Sequence, residues 1–249
     1  MKEQLVQKQV WLSRTRKLLR AAYWLFRRPI VDLQGIKIPI GPHMSDHMQQ
    51  AFSNGEYEQA ELSIIKANLQ STDRVMELGS GIGFISAYCA KIIGSDRVWT
   101  FEANPDLEKH IRNVYRLNKV SPELSMCMLG KKEGTQKFYI DQHFWGSSAL
   151  PAEHCAKVLM VNVKPFNEAI RRIDPTFLIV DIEGGEYELL KDAEFFNVKK
   201  LLIEIHQQLL NPHQCSEVKS KIESCGFAMC GSPSTTRIDV PQEIFYVRA

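Results

Sequence analysis

The most constraining feature of the sequence is a pair of short runs, Phe177–Ile182 (FLIVDI) and Lys200–His206 (KLLIEIH), that are apolar at most positions. A strand with one face in solvent alternates apolar and polar residues, whereas a parallel strand covered on both faces is apolar almost throughout. Similar runs alternate with helical segments along the chain. This alternation predicts an α/β fold with a doubly wound, mostly parallel sheet.

The predicted elements follow from these periodicities and from the turn residues between them. The predicted strands are Arg74–Leu78, Arg97–Glu102, Leu124–Leu129, Phe177–Ile182 and Lys200–His206, with two additional strands at Gln136–Ile140 and Val158–Val163. The predicted helices are a single helix over residues 45–70, then Phe84–Ile93, Pro105–Leu117, Glu186–Asp192 and Pro212–Ser224. We expect a hairpin at residues 30–40, and an antiparallel pair, Gly226–Cys230 with Ile244–Val247, at the sheet edge.

The amino-acid composition excludes two classes of protein. With 44% hydrophobic and 24% charged residues, the 249-residue chain is neither disordered nor an integral membrane protein. Its six cysteines include no CxxC pair, which indicates free thiols in a reducing compartment, and we expect a cytoplasmic protein. Residues 1–28 carry a charge of +7 and the rest of the chain −5. An acidic remainder disfavours nucleic acid as a partner.

The basic N-terminal segment is predicted to be a separate appendage, residues 1–29, ahead of one domain at residues 30–249. Residues 10–28 have the periodicity of an amphipathic helix, and Pro29 ends it. The longest apolar run there, Ala21–Phe26, is too short to cross a bilayer. Two interpretations stay open. The helix lies on an anionic membrane surface, or it docks on its own domain or on a second subunit of a homo-oligomer.

The strongest local signal is the sequence VMELGSGIGF at residues 75–84. A strand containing Glu77 leads into Gly79-Ser80-Gly81-Ile82-Gly83, and glycines allow a tight turn and close approach of a ligand to the backbone. A dinucleotide loop would need glycine at position 84, where Phe84 stands. The next strand ends at Glu102, where a carboxylate can accept the ribose hydroxyls of an adenosine ligand.

These features together resemble a class I S-adenosylmethionine-dependent methyltransferase. The segment Asp181–Leu190 (DIEGGEYELL) resembles the D-x-E-G-x-E-x-x-x-L signature of the FkbM family of such enzymes. Residues 55–58, 129–134, 146–148 and 204–206 agree with the same family, so the resemblance covers roughly residues 30–246. It implies a Rossmann-like, seven-stranded sheet, S-adenosyl-L-methionine as cofactor, and methylation of hydroxyl groups on small molecules or glycans. The cofactor-binding residues that it implies are Glu77, Gly79, Ser80, Gly81, Gly83, Glu102, Ala103, Asn104 and Leu129.

The candidate catalytic residues are Asp181, Glu183 and His206, because all three lie at the carboxyl ends of central strands, where doubly wound folds bind ligands. Methylation of an alcohol benefits from a base, and each of these side chains could accept a proton. Each also has a structural interpretation: Asp181 as the cap of the following helix, Glu183 as a solvated loop acid, His206 as a packed core residue. Glu204 ranks lower. Asp181 and Glu183 could bind a divalent metal, but their spacing does not require one, and we predict none.

Three other functions compete with O-methylation. The chain could methylate nucleic acid or protein, although it lacks the N/D-P-P-Y/F/W tetrapeptide and the Pro-Cys pair of base methyltransferases. It could be a binding protein that holds the cofactor without turnover. The glycine-rich loop by itself is also compatible with an NAD-dependent dehydrogenase.

Overall fold

The computed structural model describes residues 30–41, 44, 46–141, 147–150, 155–231, 234, 235, 237 and 239–248. The chain divides into two compact units at the Tyr57–Glu58 boundary. The predicted amphipathic helix at residues 10–28, and with it the membrane and docking interpretations, lies outside the described residues.

The first unit contains a β-hairpin and a helix. Strands β1 (Ile30–Leu33) and β2 (Ile36–Pro39) pair antiparallel, which confirms the predicted hairpin. Its two turn residues, Gln34 and Gly35, both have positive φ angles, the conformation that the tightest hairpin turns require. The helix of this unit is α1 (Asp46–Asn54).

The prediction of one continuous helix over residues 45–70 is wrong. Helix α1 ends before Gly55, which has a φ of 74°, and Glu58 is also left-handed with a φ of 46°. A second helix, α2 (Gln59–Asn68), begins after Glu58 in the second unit. Two left-handed residues so close together cannot be accommodated in a helix, and the glycine supplies a natural end point.

The second unit is a doubly wound α/β domain around a seven-stranded sheet, as predicted. The strand order is β11-β12-β10-β9-β3-β4-β5. The strands are β3 (Val75–Leu78), β4 (Val98–Glu102), β5 (Glu123–Met126), β9 (Phe177–Val180), β10 (Lys200–Ile205), β11 (Phe227–Met229) and β12 (Gln242–Arg248). The helices are α2, α3 (Phe84–Ile93), α4 (Glu108–Asn118), α5 (Phe166–Ile173), α6 (Glu186–Leu190) and α7 (Pro212–Ser224).

The centre of the sheet is parallel and fully buried. Strands β3 and β9 lie side by side, and all four residues of each are buried. The carboxyl ends of β3, β4, β9 and β10 therefore meet at one edge. Strand β12 runs antiparallel between β10 and β11, which confirms the predicted closing pair at the sheet edge.

A second sheet of three strands, in the order β6-β8-β7, contains the two additional strands that the sequence predicts. They are β7 (Gly134–Asp141) and β8 (Cys155–Pro165). The predicted strand Leu124–Leu129 is wrong as one element, because it breaks at Cys127. Strand β5 stays in the main sheet, and β6 (Met128–Gly130) pairs with β8 in the second one.

Helix α5 was not predicted, although its pattern is in the sequence. Phe166, Ala169, Ile170 and Ile173 are all buried, at the i, i+3, i+4, i+7 spacing of an amphipathic helix. The eight-residue segment directly follows the long strand β8, so its first apolar residue reads as a continuation of that strand. Among the residues that the structure describes, no helix combines the length and apolar character needed to cross a membrane.

Candidate active site

The glycine loop, residues 79–83, links β3 to α3. It contacts the chain at the ends of the two strands beside β3, which are β4 and β9. The amides of Gly79 and Ser80 both donate to the carbonyl of Phe101 on β4. On the other side, a Cβ atom at Gly79 would lie 1.6 Å from the carbonyl oxygen of Asp181, just after β9. Since the φ of Gly79 is also +87°, only glycine fits there. The loop therefore lies directly against the chain that leads into the DIEGGE segment.

Glu102 braces the glycine loop from the end of β4. One carboxyl oxygen accepts the amide of Gly81 at 3.0 Å, and the other accepts the amide of Asn104 at 2.7 Å. Glu102 is buried, and burial raises its pKa to about 7. The backbone amide of Ala103 also bonds to this carboxyl group.

Glu77 lies beneath the glycine loop in a network of hydroxyl groups. Its carboxyl oxygen accepts the hydroxyl of Thr100, which is also paired with the hydroxyl of Ser80. Ser86, on α3, bonds to Glu77 and to Tyr115. Burial raises the pKa of Glu77 to about 7, and these hydrogen bonds oppose the shift. The carboxyl group is thus bonded inside the protein.

The remaining predicted cofactor residues surround these two carboxyl groups. Asn104 is buried, and its side chain accepts the amide of Asp106. Gly83 packs so closely on α4 that a Cβ atom would lie 2.8 Å from Ile111. Ala103 packs partly buried against the apolar cluster of the second sheet, and Leu129, on β6, is buried.

A second constellation, the His206 cluster, surrounds a buried imidazole at the ends of β9 and β10. It consists of Asp181, Glu183, Glu186, Glu204 and His206. The His206 Nδ1 atom lies 2.8 Å from Glu186 Oε1, and its Nε2 atom lies 3.1 Å from Glu183 Oε2. Asp181 Oδ1 and Glu204 Oε1 are each 3.7 Å from Nε2. The structure therefore brings the three predicted catalytic residues together.

The turn after β9 holds Glu183 in an unusual backbone conformation. Glu183 has a φ of 51°, which non-glycine residues rarely adopt, and Gly184 follows with a φ of 91°. The Ser148 hydroxyl donates to the Glu183 carbonyl, and the Gly184 amide donates to Glu186. Asp181 does not cap α6, since Gly185 is the N-cap residue and no side chain bonds there.

The charges of the His206 cluster are set by burial and by mutual contact. Burial by itself lowers the pKa of His206, but bonds to Glu183 and Glu186 outweigh it and raise this pKa well above its ordinary value. Burial raises the pKa of Asp181 well above its usual range, although the His206 charge opposes this. Burial, with the Asp181 charge, raises the pKa of Glu204 to about 11. The contacts of His206 with Glu183 and Glu186 therefore favour its protonated form.

Two residues of the His206 cluster were not predicted as site residues. Glu186 is fully buried, although it stands in the DIEGGE segment beside residues that were predicted. Glu204, which ranked below the others, lies near Glu61 and Glu243 as well as His206. Its position on β10, two residues before His206, is the signal that it shares a strand face with the imidazole.

The ligand-type atoms of Asp181, Glu204 and His206 lie within 4.8 Å of one another, and so do those of Glu61, Glu204 and Glu243. Spacing of this kind is compatible with a cation, but it is also common among acidic groups without one. The His206 Nε2 atom also bonds to Glu183.

A doubly wound sheet with a glycine loop and an acid at the next strand defines a Rossmann-like nucleotide-binding domain of the methyltransferase class. The family described as "Methyltransferase FkbM domain" matches residues 77–229, more than half of the chain. The chain therefore belongs to the FkbM family of class I methyltransferases, and S-adenosyl-L-methionine is its methyl donor.

Three of the solved structures that are similar to the chain are a precorrin methyltransferase, a second methyltransferase and a fibrillarin. A precorrin-6y C5,15-methyltransferase from Geobacter metallireducens is 12% identical, covering 77% of this chain and 87% of that one, with a TM-score of 0.45. A methyltransferase from Pyrococcus furiosus is 10% identical, covering 95% and 98%, with a TM-score of 0.48. Fibrillarin from Aeropyrum pernix, with natively bound S-adenosyl-L-methionine, is 13% identical, covering 76% and 74%, with a TM-score of 0.42. A search of curated proteins finds no match to the sequence.

Proposed function

We propose that the protein is an O-methyltransferase that methylates a hydroxyl group of a small molecule or a glycan. The observation that carries this proposal is the His206 cluster, which holds the Glu183 carboxyl group against His206 beside the glycine loop. An alcohol oxygen must lose its proton to become methylated, and a positioned carboxyl group or imidazole assists that loss. The direct contact between Gly79 and the Asp181 backbone supports a reaction that takes place between the two regions.

The glycine loop and Glu102 are the part of the site that we assign to the cofactor. The Glu102 carboxyl group suits the ribose hydroxyls, because the amides of Gly81 and Asn104 already fix the position of both oxygens. Gly79, Ser80 and Gly83 shape the loop, while Ala103, Asn104 and Leu129 line the adenine side. Glu77 lies beneath the loop, where it bonds to Thr100 and Ser86. When bound, the cofactor supplies an electrophilic methyl group on a cationic sulfur, which takes back the electron pair of the broken C–S bond.

The proton of the acceptor hydroxyl goes to the His206 cluster. We assign Glu183 as the proton acceptor, because the strained turn holds its carboxyl group at the rim, 26% exposed, against His206. His206 keeps its own proton and compensates the charge of Glu183, so it acts as the partner of the base. Asp181, whose Oδ1 atom has no hydrogen-bond partner, holds the acceptor hydroxyl.

The acidic surroundings support a small neutral or cationic acceptor over a nucleic acid. Glu61 and Glu243 lie beside Glu204 at the edge of the His206 cluster, and acidic side chains do not favour a phosphate backbone. Peripheral membrane contact or homo-oligomer formation through residues 10–28, and a cytoplasmic location, stay predictions from the sequence.

The test is a methyl-transfer assay with labelled S-adenosyl-L-methionine and separate panels of sugars, polyketide-type alcohols, amines, peptides and RNA. We expect label only in hydroxyl-bearing molecules, with a methyl ether in the product by NMR. Label that enters only amines, peptides or RNA would contradict O-methylation. The same assay after dialysis against EDTA tests the cation alternative: an activity lost with EDTA and restored by Mg²⁺ would place a metal in the His206 cluster.

A further inference from the structure

We infer that Glu186 is a positioning residue that acts through His206: it binds the Nδ1 side of the imidazole and thereby turns Nε2 toward Glu183 and Asp181. The inference rests on the proposed function, because it assigns Glu186 a task in proton transfer. It concerns a residue that does not touch the acceptor or the methyl group.

A single carboxyl oxygen of Glu186 bonds both to the turn after β9 and to the ring of His206. Glu186 is the first residue of α6 and is fully buried. Its Oε1 atom accepts the Gly184 amide at 3.0 Å and bonds to His206 Nδ1 at 2.8 Å. One carboxyl oxygen thus fixes the turn that carries Glu183 and the ring that faces Glu183. A shift of Glu186 would move both partners of the proton-transfer pair.

The two nitrogens of an imidazole point to opposite sides of the ring, so a partner at one nitrogen decides what the other can do. A carboxyl oxygen at Nδ1 requires the hydrogen on Nδ1. In a neutral His206, the lone pair would then be on Nε2, 3.1 Å from Glu183 Oε2. Carboxyl groups that bind the far side of an imidazole in this way fix its orientation and increase its basicity.

The second oxygen of Glu186 distinguishes this role from simple packing. Glu186 Oε2 is buried and has no hydrogen-bond partner. An unpartnered buried oxygen costs folding free energy, and a neutral glutamine could bond Gly184 equally well. The charge of Glu186 therefore gives no advantage to the turn, whereas it directly favours the protonated form of His206.

The titration of His206 depends on every acidic group that faces it. Asp181, Glu183, Glu186 and Glu204 are within 3.7 Å of the ring nitrogens, and Glu243 lies farther out. Burial raises the pKa of both Asp181 and Glu204. Glu183 and Glu186 make the hydrogen bonds that raise the pKa of His206, one on each ring nitrogen.

The experiment compares Glu186→Gln with Glu188→Gln, which is on the same helix but exposed in an ion pair with Lys191. The protonation of His206 is followed by ¹⁵N NMR of the imidazole in the full-length protein, with His206→Ala to assign the signal. In wild type we expect any neutral form to carry its hydrogen on Nδ1. In Glu186→Gln we expect the His206 pKa to fall by about one unit or more. We expect Glu188→Gln to leave it unchanged.

The kinetic arm separates positioning from binding. We expect Glu186→Gln to lower kcat by about tenfold or more, while KM and the cofactor Kd stay within about threefold of wild type. Wild-type values of kcat and His206 pKa in a folded Glu186→Gln would overturn the inference. If that variant does not fold, the wild-type tautomer decides, since a neutral form with its hydrogen on Nε2 would also overturn it. Should no hydroxyl acceptor be methylated, the proposed function fails, while the NMR arm still reports on the Glu186–His206 bond.

Discussion

The glycine loop and the His206 cluster both contain buried carboxyl groups, but they satisfy them differently. Glu77 and Glu102 bond to hydroxyl groups and backbone amides, and burial raises the pKa of each to about 7. In the His206 cluster the carboxyl groups face an imidazole and one another. There, Asp181 Oδ1 and Glu186 Oε2 are buried without a hydrogen-bond partner.

We propose that this difference separates the surface that binds the cofactor from the group of residues that reacts. The bonds of Glu102 are made before any ligand arrives, which suits a rigid cradle with little to reorganise. Unpartnered oxygens and a left-handed Glu183 cost folding free energy, and such costs concentrate where a protein performs chemistry. We therefore expect changes at the glycine loop to affect cofactor binding and stability, and changes in the His206 cluster to affect turnover.

The substitution Gly79→Ala would disrupt the contact between the glycine loop and the His206 cluster. We expect it to have the largest effect of the substitutions considered, on the free energy of unfolding. Its Cβ atom would collide with the Asp181 carbonyl, in a backbone conformation that alanine disfavours. We expect unfolding in urea to show a loss of about 4 kcal/mol or more. The control is Gly134→Ala. A Cβ atom added at Gly134 would have no atom within 4 Å apart from those of its chain neighbours, so this variant should change the free energy of unfolding by less than about 0.5 kcal/mol. Equal stability of the two variants would show that the regions are not in contact.

Glu183→Gln separates turnover from binding. Loss of the proton acceptor should lower kcat by about 100- to 1,000-fold, while the cofactor Kd by isothermal titration stays within about threefold. His206→Ala and Asp181→Ala should behave similarly, with smaller losses. A wild-type kcat in the Glu183→Gln variant would show that the proton acceptor does not lie in the His206 cluster.

Glu77→Gln tests the cost of the buried carboxyl group beneath the glycine loop. Because burial raises the folded-state pKa of Glu77 from 4.5 to about 7, its contribution to stability is present below pH 4.5 and is lost as the pH rises through 7. Wild type should therefore lose about 2–3 kcal/mol more than Glu77→Gln between roughly pH 5 and 8. Urea unfolding at both pH values measures this. Parallel pH dependence of the two proteins would contradict the shift.

Glu102→Ala sharpens the assignment of the glycine loop to the cofactor. We expect the Kd for S-adenosyl-L-methionine to rise about 10- to 100-fold, from the loss of two charge-assisted hydrogen bonds. Glu108→Ala removes an exposed carboxyl group at the start of α4 and serves as the control. Cofactor affinity that is the same in both variants would exclude Glu102 from the ribose site.

Much of the sheet could be predicted from the sequence, because a strand buried on both faces is a continuous run of apolar residues. Runs such as Phe177–Ile182 have no other common explanation in a chain of this composition. The predictions were wrong where a local feature divides a continuous pattern: left-handed Glu58 within residues 45–70, and Cys127 between two sheets. A break of one or two residues leaves only a weak signal in the sequence, although it ends a helix or a strand in the structure.

The candidate site was predictable to the extent that parallel strands deliver their ends to one edge. Asp181, Glu183 and His206 follow adjacent strands, so their proximity follows from topology. The part played by Glu186 does not, because nothing in DIEGGE shows that its side chain turns inward and bonds back to Gly184. That direction depends on the left-handed turn at Glu183 and Gly184.

The sequence by itself determined the class of fold, the glycine loop and the family, because these depend on local patterns of apolar residues, glycines and acids. Only the tertiary structure decided which acids share protons. The pKa of a carboxyl group depends on its burial and on charges a few ångströms away, and in the His206 cluster these come from strands and turns distant in the chain.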